Sequence, residues 1–278
     1  MMYVDSHVHF WQPSRMDYGW LKPENDLLYR DYLPAHLLPE LKAFGVKGLV
    51  AVQAAVTVEE AEFLLDLAQT WSVISGVSGG LDPFTDLFHE QLGSLNANPH
   101  FTGIRLNGSA FRSDRSEVEQ AKLRSALAAL MKADLALDLL VRPEDLSDTA
   151  SYLEEQPQLK AVVNHLGCPN IREQQMEPWR SGMDRLSQLP GVAVKLSGMI
   201  TMAGGCHPER IRPYVDQLVQ LFGCKRLLFG SDWPVALQAG GYKDVIHLFE
   251  TVLPEDLTEE EKGMIRAGNA CRFYPILT

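Results

Sequence analysis

The chain has 278 residues, 46% hydrophobic and 22% charged, with a formal net charge of −11 from 25 basic and 36 acidic side chains. This suits a globular fold with a large core, and the absence of any Lys/Arg cluster argues against nucleic acid as a partner. The longest apolar stretch, 48–56, contains Gln53 and is too short to cross a bilayer, so no membrane partner is expected.

The first apolar run, Tyr3–Phe10, carries His7 and His9. On a strand, residues i and i+2 share a face, so both imidazoles can aim at one point. The segment Gln12–Pro34 that follows is long and irregular and holds Trp20, Tyr29 and Tyr32. Gly45 marks a helix end before the second run, Val46–Val56. Thr57 with Glu60 three residues on reads as a capping box for a helix over Glu59–Trp71, whose apolar residues recur at helical spacing. Two further strand-like runs, Val73–Leu81 and Phe101–Asn107, precede a helical pattern over Glu117–Met131. Runs at Ala133–Val141, Leu159–Leu166 and Val192–Ser197 follow, and Gly198–His207 reads as a second irregular segment. A helix over Pro208–Phe222, stopped by Gly223, leads to the last run, Arg226–Gly230, and Thr258 with Glu261 forms another capping box.

Near-continuous apolar strands alternating with amphipathic helices indicate a parallel α/β fold buried on both faces. No G-x-G-x-x-G frame follows an early strand, which argues against a doubly wound sheet. The expected architecture is a (β/α)8 TIM barrel forming one domain over 1–278, with both irregular segments rising over the C-terminal mouth. The cysteines Cys168, Cys206, Cys224 and Cys271 form no C-x-x-C pair and read as reduced and structural. The start lacks a basic patch followed by an apolar run, so the expected location is the cytoplasm.

Assuming the barrel, His7, His9, Arg105, His165, Lys195 and Asp232 all fall near C-terminal strand ends. Singly, each has an ordinary reading. A His-x-His pair recurs by chance, His165 suits a structural hydrogen bond, Arg105 a surface ion pair, and Asp232 a helix cap. Lys195 differs, because a lysine inside an apolar strand is costly to bury without a partner. Their joint placement at successive strand ends is how such barrels build active sites.

The motifs Asp5-Ser6-His7-Val8-His9-Phe10-Trp11, Gly103-Ile104-Arg105, Asn164-His165-Leu166-Gly167-Cys168-Pro169, Lys195-Leu196-Ser197-Gly198, Phe229-Gly230-Ser231-Asp232-Trp233-Pro234 and Asn269-Ala270-Cys271-Arg272-Phe273-Tyr274 run nearly the whole length. In these the chain resembles the amidohydrolase superfamily, and within it the lactonase group that includes L-fuconolactonase and L-rhamnonolactonase. The resemblance implies a hydrolase acting on a small-molecule lactone, with Asp232 as general base and His165, Lys195 and Arg105 polarising the carbonyl. By residue type, His7, His9, Trp11, Trp20, Arg142 and Trp233 are candidate substrate-binding groups for a polyhydroxylated ring, although a Trp is more often simply core. His7, His9, His165 and Asp232 often hold a divalent metal in the superfamily, so a single zinc is an optional cofactor and metal-independent hydrolysis the other possibility. Two departures bear on this. Lys195 stands where many members have a further histidine, against a two-metal site, and Asn164 replaces a frequent aspartate. A dicarboxylate pyrone or muconolactone hydrolase, needing several arginines such as Arg15, Arg112 or Arg142 at the mouth, is the alternative. A metal-dependent aromatic-acid decarboxylase is another. A non-enzymatic barrel leaves the polar strand ends unexplained. The sequence does not define the oligomeric state.

Overall fold

A computed structural model describes residues 2–274 and 276. The strands are β1 (Tyr3–Val8), β2 (Val46–Val52), β3 (Ile74–Gly79), β4 (Phe101–Asn107), β5 (Ala136–Leu140), β6 (Ala161–Val163), β7 (Val192–Leu196) and β8 (Leu227–Phe229). Each pairs in parallel with the next, giving an 8-stranded sheet in the order β1 to β8. The helices are α1 (Pro34–Phe44), α2 (Val58–Thr70), α3 (Phe88–Asn96), α4 (Glu117–Lys132), α5 (Leu146–Glu154), α6 (Trp179–Ser187), α7 (Met199–Ala203), α8 (Pro208–Phe222), α9 (Tyr242–Val252), α10 (Glu259–Gly263) and α11 (Asn269–Phe273). The result is the expected (β/α)8 barrel.

The barrel closes where the last strand meets the first. Beyond β8 the chain runs on to a parallel bridge between Val8 and Trp233. The Asp232 N–H donates to the His7 carbonyl at 2.8 Å, and the His9 N–H to the Trp233 carbonyl at 2.7 Å. Ser6 Oγ donates to the Phe229 carbonyl at 2.6 Å. Asp5 completes the seam: its fully buried carboxylate accepts from Ser231 N at 2.8 Å, His7 N at 3.2 Å and Tyr242 Oη at 3.0 Å. Burial pushes its pKa up to about 6, against the hydrogen bonds that favour the ion.

Local differences from the sequence expectation have clear causes. Strand β6 stops at Val163 instead of Leu166, because His165 and Leu166 take left-handed φ values of 52° and 57°. The segment 198–207 contains α7, capped at both ends by left-handed Gly198 and Gly204. Thr57 caps α2 by accepting from Glu60 N, but the Glu60 carboxylate turns inward to accept from Ala54 N at 2.7 Å, so the box is not reciprocal. The Thr258–Glu261 box forms in full.

The interior divides into two groups. Most apolar side chains pack between the strands and the outer helices. A smaller cluster inside the barrel joins Val4, Val50, Val52, Val162 and Leu228 to Ala267, Ala270 and Tyr274 of the C-terminal segment. That segment plugs the N-terminal end of the barrel, where Asn269 Nδ2 donates to the Cys224 and Leu227 carbonyls at the start of β8.

Replacing Asp5 by alanine strands its three donors in the dry seam. We expect a loss of on the order of 3 kcal/mol, read by urea denaturation at neutral pH. A change within experimental error would remove Asp5 from the closure.

Candidate active site

A cavity of about 590 Å³ opens at the C-terminal mouth, with His9, Arg105, His165 and Asp232 among its lining residues. The seam delivers His7, His9 and Asp232 together. His7 lies near the end of β1 and His9 just beyond Val8, and their Nε2 atoms lie 3.2 Å apart. Asp232 Oδ1 is 3.4 Å from His9 Nε2, 3.8 Å from His7 Nε2 and 3.9 Å from His165 Nε2. Asp232 itself sits at a left-handed φ of 61°, a conformation aspartate tolerates better than most residues.

Each ring is oriented from behind. His9 Nδ1 donates to the Val52 carbonyl at 2.8 Å. His165 Nδ1 pairs with Ser197 Oγ at 2.9 Å, and the same oxygen accepts the His165 backbone N–H at 3.2 Å. His7 Nδ1 faces Lys195 Nζ at 3.4 Å. Burial, with the neighbouring cations, holds His7 well below the ordinary imidazole pKa. Burial likewise brings His165 down to about 4, with Asp232 opposing. Both rings are therefore neutral at pH 7. Burial also penalises the Asp232 carboxylate, but His165, His9 and Arg105 overcome that cost and hold its pKa below the usual value.

The expected site residues separate into those that reach the cavity and those that do not. Trp20 lines it, 47% exposed, with Nε1 donating to the Ala54 carbonyl at 2.7 Å. Trp11 is fully buried behind Trp20, with its indole N–H shared between the Leu28 and Arg30 carbonyls, so it does not reach the cavity. Trp233 packs edge-on to Phe10 and Tyr32 and borders a different cavity. Arg142 lines a neighbouring cavity of about 550 Å³ that shares Cys168 and Asn170 with the first. Arg15 pairs with Asp17 and Arg112 with Asp114, away from the cavity. Lys195, expected to polarise a carbonyl, lies fully buried beneath His7, ion-paired to Asp138. The Cys168 thiol is pushed up to about 12 by burial and the Asp232 charge, so it is no nucleophile.

Several groups escaped the sequence reading. Asp138 is the buried counter-ion of Lys195, and its signal was a lone carboxylate inside the apolar run of β5. Gln53 and Arg172 also line the cavity, as does Asn107. Gln53 Oε1 and Arg105 Nε are buried with no protein partner among the described residues. Glu60, hidden as a helix-capping glutamate, is fully buried beside Arg105. Burial raises its pKa to about 8, only partly offset by the Ala54 N–H and the Arg105 charge.

Ligand atoms of His7, His165 and Asp232 lie within 4.8 Å of one another. Bonds of about 2.0–2.2 Å to a tetrahedral zinc put its ligand atoms roughly 3.3–3.6 Å apart. The donor types suit one zinc-sized ion, with His9 beside it, while the His7 and His165 distances to Asp232, 3.8 and 3.9 Å, are wider than a bound zinc would draw them.

The amidohydrolase family model matches residues 4–276. The chain is 35% identical to an L-fucono-1,5-lactonase of Burkholderia ambifaria, covering 98% of this chain and 95% of that one. It is 32% identical to an L-fucono-1,5-lactonase of Burkholderia multivorans, covering 98% and 96%. Among solved structures, a zinc-bound amidohydrolase from Burkholderia multivorans superposes with a TM-score of 0.90 at 31% identity, covering both chains fully.

The Glu60 pKa generates a stability prediction. A carboxyl whose folded pKa is raised keeps its proton longer in the folded state. Stability is then greatest below the unfolded pKa and falls as pH rises toward about 8. Glu60→Gln removes this titration, so the decline in Tm between pH 5 and pH 8 becomes shallower in thermal melts. An unchanged slope would show that Glu60 is already ionised in the folded protein.

Proposed function

Because the chain belongs to the amidohydrolase family, we propose that it is a lactonase that opens a sugar lactone, such as L-fucono-1,5-lactone or L-rhamnonolactone, to the hydroxy acid. The observation that carries this reading is the convergence of a carboxylate, two imidazoles and a guanidinium on one cavity. Asp232, His9 and His165 meet around Asp232 Oδ1, with Arg105 in the same wall.

In this reading Asp232 holds a water and takes its proton as the oxygen attacks the lactone carbonyl carbon. The carbonyl oxygen becomes an oxyanion, held by the Arg105 guanidinium and a hydrogen from His165. Donors preset at that position supply several kcal/mol of stabilisation. The ring C–O bond then breaks, and Asp232 returns the proton to the departing ring oxygen. Atoms and charge balance: one water is consumed and one hydroxy acid forms.

Ring hydroxyls need partners in a dry wall. Gln53, with its unpaired buried Oε1, and Asn107 supply them, while Trp20 offers an aromatic face to the ring. Arg142 would contact only a substrate that extends into the neighbouring cavity. A zinc held by His7, His165 and Asp232 would lower the pKa of a bound water and polarise the carbonyl. The steps assigned to Asp232, His165 and Arg105 do not require it. A pyrone dicarboxylate carries two anions, and the arginines lining the cavity are Arg105 and the exposed Arg172, with Arg15 and Arg112 turned to surface carboxylates. The sugar lactone is the better fit.

The direct test is a pH-monitored hydrolysis assay over stereoisomeric aldonolactones, with pyrone dicarboxylate as the competing substrate. Turnover of the pyrone alone would refute the sugar assignment. Asp232→Asn is expected to lose at least roughly 100-fold in kcat on the best lactone; near-full rate would deny it the role of base. Dialysis against a chelator is expected to leave most of the activity. Complete loss, restored by added zinc, would transfer water activation to the ion.

A further inference from the structure

Below the imidazoles lies a hydrogen-bonded column that runs to the opposite end of the barrel. Tyr274, in the C-terminal plug, donates its hydroxyl hydrogen to Asp138 Oδ2 at 2.8 Å. Ser78 Oγ donates to the same oxygen at 3.0 Å. The other Asp138 oxygen receives the Lys195 ammonium, which also lies 5.3 Å from the centre of the Tyr274 ring. Ser78, Asp138, Lys195 and Tyr274 are all fully buried, so water cannot replace any of these contacts.

The column has a direction. An ammonium only donates, so His7 Nδ1, 3.4 Å from Lys195 Nζ, must accept. The single hydrogen of a neutral His7 ring then sits on Nε2, so His7 would have to give it up before that atom could hold a zinc. His9 agrees independently. Its Nδ1 faces a carbonyl, which only accepts, so a ring with a single hydrogen carries it there and leaves Nε2 bare. The His7 Nε2–H therefore has an acceptor 3.2 Å away in His9 Nε2.

We propose that Tyr274 is a positioning residue for the reaction at the far mouth: with Ser78 it fixes Asp138, Asp138 fixes Lys195, and Lys195 sets the ring tautomer of His7 against His9. The proposal rests on reading the upper cavity as the reacting site and extends that site to the plug. Without the phenol, Asp138 Oδ2 keeps a single donor and the carboxylate is free to turn. Lys195 then leaves His7 Nδ1, and the His7 ring is no longer held to one tautomer.

The test is Tyr274→Phe in the full chain, with kinetics on the best lactone and ring ¹⁵N shifts of His7, identified by comparison with His7→Gln. We expect a folded protein whose kcat falls about tenfold while KM stays within about twofold, and a His7 ¹⁵N pattern that moves from a pure Nε2–H tautomer toward a mixture. Ser78→Ala removes the other donor to the same oxygen without disturbing the plug, and should shift both readouts in the same direction. It carries the test if Tyr274→Phe does not fold. Unchanged His7 shifts in a folded variant overturn the proposal, as does a rate loss that only tracks the loss of folded protein. If no lactone is turned over, the functional reading fails while the ¹⁵N shifts still decide the positioning role.

Discussion

Everything in this molecule depends on the seam between the last strand and the first. A parallel barrel has no hairpin to pin its closure, so the two edges must find each other across most of the sequence. Here they do so through backbone hydrogen bonds between residues 7–9 and 232–233, and through the Asp5 carboxylate gathering donors from both sides. The same few residues that join the edges carry His7, His9 and Asp232. Closure and the geometry of this polar centre are one event, which explains why an ionisable group as costly to bury as Asp5 is kept there.

The barrel interior is also where charge is managed. A lysine in an apolar strand would be ruinous alone, yet Lys195 has Asp138 on one side and a ring nitrogen on the other. Among the described residues Arg105 has no ion pair, but Asp138 and Asp232 favour its charge through the low-dielectric interior against the cost of burial. Burial first, and then the neighbouring cations, keep the His7 and His165 rings neutral, while Arg105 is among the groups that hold Asp232 ionised against its own burial. Opposite protonation states of neighbouring groups thus come from burial and one arrangement of charge together.

Much of this was legible in the sequence. The apolar runs gave all eight strands, and the polar residues at their ends included His7, His9, Arg105, His165 and Asp232, because strand periodicity and barrel closure act on sequence directly. What was hidden depended on which way a side chain turns. Glu60 carried every mark of a capping glutamate, and only the fold around residue 54 draws it inward. Trp11 and Trp20 have equal sequence claims as sugar platforms, yet one is walled in by the other. Lys195 was correctly marked as needing a partner, but the partner lay on β5 and the contact faced away from the cavity. The early end of β6 was invisible because left-handed His165 and Leu166 break a run that returns to an apolar residue at its end.

The seam also has a temporal meaning. A ribosome delivers the two histidines more than two hundred residues before Asp232. Until then the first strand has no neighbour on one side, and no part of the growing polypeptide can hold the whole polar centre. That centre is therefore completed in a single late step, and a stalled product carries the imidazoles without their carboxylate.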